Sequence, residues 1–389
     1  PLFPLQLLQK VKPMGQVVGI DLGTTNSVIA TLDEGQSWAI PDDEGDVLLP
    51  SFVGISDNGE LLVGQAARRQ YAAAPERTVK SIKRQMGTDF TVTLNERTYS
   101  PQEVSAIILR SLKQRAETML ETKVTQAVIT VPAYFNDAQR QATKEAGEIA
   151  GFEVLQILNE PTAAALVFDV GTEETENVLV YDLGGGTFDV SIVEITGDVT
   201  EVLASHGNNR LGGDDFDAKL IEHVLAHLKR EHDCDPSADR AAMARINRAC
   251  EAAKIALTDA PYTRIDEEYL LPDRDPPVNL SLEVSREDYE AMIEGYIDET
   301  LEAVHTALKG AELTVADIDE VVLVGGATRT PLIQQRLEET LGQQPRAEID
   351  PDLCVAAGAA IQAGVIAGET TRGVLVDVTP YTFGTSEIG

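Results

Sequence analysis

Two short turns carry the residue types that hold phosphate and a divalent metal. In the first, the apolar run Gln16-Val17-Val18-Gly19-Ile20 ends at Asp21 and passes through Leu22-Gly23-Thr24-Thr25 into Ser27-Val28-Ile29-Ala30. In the second, Asn177-Val178-Leu179-Val180-Tyr181 ends at Asp182, and Leu183-Gly184-Gly185-Gly186-Thr187 leads into Asp189-Val190-Ser191-Ile192-Val193. A carboxylate at the end of a strand attracts a metal ion, and the N–H groups of a glycine-rich turn beside it form a nest for phosphate oxygens. Thr24, Thr25 and Thr187 add hydroxyls. Two such turns facing each other enclose a polyphosphate. Asp21 and Asp182 then flank it and hold Mg²⁺, an ion that keeps several waters and usually takes one or two carboxylates. A third apolar run, Val321-Val322-Leu323-Val324, enters Gly325-Gly326-Ala327-Thr328-Arg329 and strengthens the pattern.

These turns need strands on both sides. Each passes from one β-rich run into another, which excludes a dinucleotide fingerprint opening a helix, and no GxxxxGK[ST] occurs. The recurrence implies a duplicated chain with two lobes facing across a cleft, each built from strands followed by helices. Between the halves, Val128-Ile129-Thr130-Val131 reads as a buried strand. A helix follows from Asn136, with Gln139 completing a capping box and Gly151 as the stop. Val154-Leu155-Gln156-Ile157-Leu158 is a further strand, and Pro161 takes the first helical position beyond it. The second half reads as helical from Asp214 to Leu257, then as a hairpin turning at Asp273-Arg274-Asp275-Pro276-Pro277. A helix from about Ser285 to Leu308 and an alanine-rich one from Val355 to Ala367 follow.

Composition bounds the rest. At 389 residues the chain is long enough for roughly two to three domains. Its 43% hydrophobic and 24% charged content disfavours disorder and fibrous classes. Sixty-four acidic residues against 31 basic ones give a net charge of −33, which repels nucleic acid and anionic membrane surfaces. Cys234, Cys250 and Cys354 form no CxxC pair, so a reducing cytoplasm is expected and a disulfide framework is not. No apolar run approaches the ~18 residues of a membrane helix. Residues 1–13 read as an extension ahead of Met14, and the apolar end Gly373 to Val378 reads as the start of a missing domain.

At this point the chain resembles the 70-kDa heat-shock chaperone family of the bacterial DnaK type, on the actin and hexokinase ATPase fold. The stretches that carry the resemblance are Gly19 to Ser27, Val131 to Thr143, Asn159 to Ala165, Asp182 to Asp189 and Val324 to Arg329. The implied fold is α/β and two-lobed, with a duplicated ribonuclease H-like core. Lobe I is expected at 14–171, lobe II at 172–346, a return to lobe I at 347–373, and an interdomain linker with the start of a substrate-binding domain at 374–389. The resemblance implies an ATPase with ATP or ADP, Mg²⁺, and K⁺ as a candidate second ion. It assigns Asp21, Asp182, Glu160 and Asp189 to the metal shell, and Lys83 to the γ-phosphate and attacking water beside Thr187. Gly23, Thr24, Thr25, Asn26, Gly184, Gly185, Gly186, Gly212 and Gly213 would cradle phosphates. Glu251, Lys254 and Thr258 would clamp adenosine, opposite Gly325, Gly326, Arg329 and Asp352. Pro132, Arg140 and Asp377 would relay nucleotide state.

The implied partners are unfolded client peptides, a J-domain co-chaperone and a nucleotide exchange factor, with a monomeric chain and no nucleic acid or membrane. Gln156 stands where many bacterial members carry an arginine that meets the J-domain, so standard docking is not expected. Ala327 replaces a serine of many members, and the segment between Gly87 and Tyr99 is short, which implies a reduced outer lobe I. The alternatives on the same fold are an actin-like filament ATPase and a small-molecule kinase. His223 and His227 share a helix face but lack a third metal ligand. Arg140 and Lys144 are equally readable as ordinary charges on a capped helix, and Trp38 as packing.

Overall fold

Alternating apolar strands and two capped crossover helices build the first half of the molecule. The computed structural model describes residues 16–33, 35–167, 175–197, 199–346, 350–369 and 374–376. The extension at 1–13, the expected lobe boundary at 171–172, Gly373 and Asp377 lie outside them. Strand β1 (Gln16–Asp21) pairs antiparallel with β2 (Asn26–Asp33), which pairs with β3 (Gln36–Ala39) and, at its start, with β4 (Leu49–Pro50). Farther out lie β5 (Val53–Ile55), β6 (Leu61–Val63), helix α1 (Gln65–Tyr71) and β7 (Thr78–Val79). The short segment before Tyr99 folds as a hairpin of β8 (Val92–Leu94) and β9 (Arg97–Tyr99).

A parallel neighbour needs a crossover, and α2 (Pro101–Met119) supplies the one to β10 (Val124–Val131), parallel to β1. Helix α3 (Asp137–Ala150) carries the chain on to β11 (Glu153–Asn159), parallel to β10. The caps of α3 match the sequence: Asn136 and Gln139 form a reciprocal box, and Gly151 ends the helix at φ 89°. Helix α4 (Glu160–Leu166) departs from expectation by one residue, with Glu160 first and Pro161 second. Neither position needs an intrahelical N–H bond, so proline fits either.

The second half repeats the plan. Strand β12 (Thr175–Leu183) is antiparallel to β13 (Phe188–Thr196), and β13 to β14 (Val199–Asn208). Helices α5 (Gly213–His232) and α6 (Arg240–Asp259) follow, then the hairpin β15 (Tyr262–Leu271) and β16 (Val278–Ser285), and α7 (Arg286–Gly310). Strand β17 (Glu320–Val324) lies parallel to β12, as β10 does to β1, so both sheets share order and pairing sense. Helix α8 (Pro331–Leu341) precedes α9 (Cys354–Ala367), which returns to pack on β1 and α4. Small residues permit that return: a Cβ on Gly19 would sit 2.0 Å from the Ala360 nitrogen of α9. Strand β18 (Val374–Val376) adds in parallel to the free edge of β14 at Val199–Glu201.

Each lobe has its own apolar core, and a third is shared between them. Val17 and Val128 of lobe I meet Val178, Val180, Val322 and Val324 of lobe II there, with Ala163, Val355 and Ala359 from α4 and α9. The glycine turns sit at one end of this shared layer. Trp38 packs against the lobe I core. No helix among the described residues is long and apolar enough to cross a membrane, and the three cysteines are free and buried.

Candidate functional site

The two turns meet across a cleft of about 320 Å³, a volume in the range of small-molecule sites. The first turn closes tightly: a Cβ on Gly23 would lie 2.0 Å from the Asn26 carbonyl oxygen. In the second, the Gly184 N–H donates to the Thr187 carbonyl at 3.1 Å. Helix α5 starts against this turn, with Gly213 N–H on the Gly184 carbonyl (2.9 Å) and Asp214 N–H on the Gly185 carbonyl (2.8 Å). A Cβ on Gly185 would fall 1.9 Å from Thr25 Oγ1 of the opposite turn. The lobes therefore touch where phosphates would pass, and only a glycine there leaves the gap open.

Charge concentrates at the floor. Lys83 stands on a single 3₁₀ turn, Ile82–Gln85, and its Nζ donates to Glu160 Oε1 at 2.6 Å, with both side chains buried. Glu160 is at once the first residue of α4 and the ion-pair partner of Lys83. Burial works to lower the Lys83 ammonium, yet Glu160 and Asp21 together hold it above its ordinary value. Burial, then the Glu160 carboxylate, push Asp21 up to about 7. The same two causes push Asp182 and Asp189 well above the usual carboxylate range. Three buried acids, Glu160, Asp182 and Asp189, and the half-buried Asp21 thus face one lysine, an excess of negative charge that a divalent cation would relieve. Among the described residues no three acids, histidines or cysteines lie close enough to hold a metal ion alone. This donor set fits Mg²⁺, which completes its shell with water and phosphate.

Most expected site residues line this cleft: Asp21, Gly23, Thr24, Thr25, Asn26, Lys83, Glu160, Asp182, Gly184, Gly185, Thr187, Gly213, Glu251, Lys254, Thr258, Gly325, Gly326, Arg329 and Asp352. Gly186, Asp189 and Gly212 are not among the residues lining it. Gly186 packs on Thr24 and Arg84, Gly212 on the backbone of Gly185 and Gly186, and Asp189 Oδ1 accepts from Tyr134 N–H at 3.3 Å. Arg140 donates to the carbonyls of Phe135 and Ala133 (both 2.9 Å) and to Asn159 Oδ1 (2.7 Å), fixing the Pro132 segment against α4. Lys254 is occupied: it pairs with Asp217 at 2.9 Å and donates to the Gly213 carbonyl at 3.0 Å. Gln156 accepts from Gln362 of α9 at 2.8 Å.

Several contributors escaped the sequence reading. Arg68 of α1 pairs with Glu251 of α6 at 2.9 Å, closing the cleft's rim. Arg84 reaches from lobe I to the Gly186 carbonyl (3.2 Å) and to Asp215, which also accepts from Gly212 N–H at 2.8 Å. Ser81, held at φ 53°, donates to Asp214 at 2.8 Å. Ile255 lines the cleft with 57% of its surface exposed, an apolar wall facing Arg329, which is itself fixed by Asp350 and Asp352. The adjacency of Arg84 to Lys83, and of Asp214-Asp215 to Gly212-Gly213, was the available signal. A family model described as Hsp70 protein matches residues 17–97 and 89–389.

Proposed function

The chain belongs to the Hsp70 family and has its two-lobed actin/hexokinase-type ATPase fold, and on that premise we propose that it binds Mg-ATP in the central cleft and hydrolyses it by in-line attack of water. The observation that carries this reading is the buried Lys83–Glu160 pair at the base of two opposed Asp–Gly turns. The N–H of Gly185 and the hydroxyls of Thr24, Thr25 and Thr187 hold phosphate oxygens, while the N–H groups of Gly184 and Gly213 are spent on shaping the turn. Lys83 places its ammonium where charge gathers on the transferring phosphoryl group, and Glu160 fixes that ammonium. Catalysis is then positioning plus preorganised charge, with no covalent enzyme intermediate. Asp21 and Asp182 would hold Mg²⁺, which would neutralise phosphate charge when bound. Ile255 and Arg329 enclose a flat base, and Glu251, tied to Arg68, flanks the ribose side.

In the larger cycle the nucleotide state would change peptide holding through the segment at β18, whose pairing with β14 gives lobe II a direct grip on the chain's end. A J-domain partner would meet Gln156 already engaged by Gln362, so stimulation by a generic J-domain is expected to be weak. Calorimetric titration tests the core of the reading. Mg-ATP and Mg-ADP should bind and raise the melting temperature, because a ligand selective for the folded state stabilises it, and phosphate should be released. No heat with Mg-ATP, or equal affinity for Mg-GTP, overturns it.

A further inference from the structure

A second crevice separates the lobes on their outer side, away from the glycine turns. Lobe I contributes Tyr71 at the end of α1, Lys80 and Phe90, and lobe II contributes Met243 and Asn247 of α6 with Arg240 at its first position. Its volume is about 430 Å³. Not one carboxylate lines it, in a chain with 64 Asp and Glu. Lys80 Nζ lies 5.5 Å from the Tyr71 ring centroid and donates to the neutral carboxamide oxygen of Asn247 at 2.5 Å. Among the described residues neither Lys80 nor Arg240 has a carboxylate within ion-pair distance; the Tyr71 phenol is raised by burial, with Arg240 acting to lower it and Asp214 and Glu251 acting to raise it. Phe90 leaves 43% of its surface exposed at the mouth. Farther in, a recess of about 340 Å³ holds a single acid, Asp214, already accepting from Ser81.

Lys80 shares the recess with Asp214 and Arg240 follows the capping Asp239, yet neither cation is spent on an ion pair among the described residues, so both remain available to an anion in a groove with no carboxylate in its lining. Two aromatic rings and an apolar floor add the contacts that favour a flat hydrophobic body, and a few placed polar groups on an apolar lining are what a small-molecule site requires. We propose that this outer groove binds a small aromatic anion, an aryl carboxylate or aryl phosphate, between Tyr71 and Phe90 with its acid group on Lys80 and Arg240. Since both lobes line the groove, the bound anion favours the closed arrangement seen here and slows nucleotide release, a coupling that rests on the function proposed above.

The probe is 2-naphthoate, titrated into the full chain saturated with Mg-ADP and followed by saturation-transfer NMR and calorimetry. Binding should persist under saturating ADP, since the groove and the cleft are separate. The neutral analogue 2-naphthylmethanol should bind at least about tenfold more weakly, as should 2-naphthoate to Arg240→Gln or Lys80→Met, the loss expected for one charge-assisted contact. Both positions lie at the surface of the groove, and unchanged ADP affinity in the variants certifies their folding. Naphthoate that fails to bind while Mg-ADP binds overturns the groove and leaves the ATPase reading standing. Displacement of naphthoate by ADP, or equal affinity in parent and variants, overturns it as well.

Discussion

The two glycine turns share one plan and differ in the groups they present. The lobe I turn has a single Gly23 between Asp21 and two threonines, and the charge that acts there is carried by a side chain, Lys83, held by Glu160. The lobe II turn has three consecutive glycines whose shape is fixed by bonds from the N–H groups of Gly213 and Asp214 at the start of α5, so it presents backbone and not a charged side chain. The same strand–turn–strand frame has become a charged half and a backbone half. The lesson is that the halves share the geometry of approach, two turns meeting at Thr25 and Gly185, while the chemistry is divided between them.

The sharpest test of that division removes the charged half's lysine. Lys83→Ala should keep ADP affinity and lower single-turnover hydrolysis by about 10²-fold or more, the usual cost of one preorganised charge. A rate equal to the parent would mean that the backbone half suffices alone.

Next is a proton test of the carboxylates. With Asp21 raised to about 7 by burial and Glu160, its ionised fraction falls as pH drops below 7, and a cation needs the ionised form. The Mg²⁺-dependent part of ADP affinity should therefore be about tenfold lower at pH 6 than at pH 8, one proton being released on binding below neutrality. Titrations in two buffers of different ionisation heat measure that proton directly; a flat profile would remove Asp21 from the metal's surroundings.

The smallest effect separates the two turns by where their glycines press. Gly23→Ala drives a Cβ into the backbone of its own turn, so it should destabilise lobe I by about 1–3 kcal/mol. Gly185→Ala presses instead on the end of Thr25 in the other lobe. The lobes can part to relieve that contact, so the melting temperature should hold while ADP affinity falls. Paired thermal melts and ADP titrations on the two variants decide it, and identical behaviour would erase the distinction between an internal clash and an interlobe one.

Much of this was readable in the chain. The strand ending at Asp21, the box of Asn136 and Gln139, and the stop at Gly151 all follow from local pattern and the structure places them as expected, while the strand expected to end at Asp182 runs one residue further, to Leu183. What stayed hidden depends on tertiary packing, between the lobes for two of the ion pairs and between α5 and α6 of lobe II for the third. The Arg68–Glu251, Lys254–Asp217 and Arg84–Asp215 pairs join residues far apart in sequence, and no spacing rule brings them together. The outer groove is invisible for the same reason, being made of residues that periodicity assigns to unrelated elements.

Strand β18 has a further consequence, for solubility. A sheet edge presents a row of unpaired N–H and C=O groups that can template pairing with another chain. By pairing with β14 at Val199–Glu201, β18 replaces that stretch of the edge with a strand only three residues long, which offers a neighbouring molecule fewer unpaired groups. Any state that releases this strand trades an internal partner for an external one, so the segment that ties lobe II to the chain's end also guards the protein against its own copies.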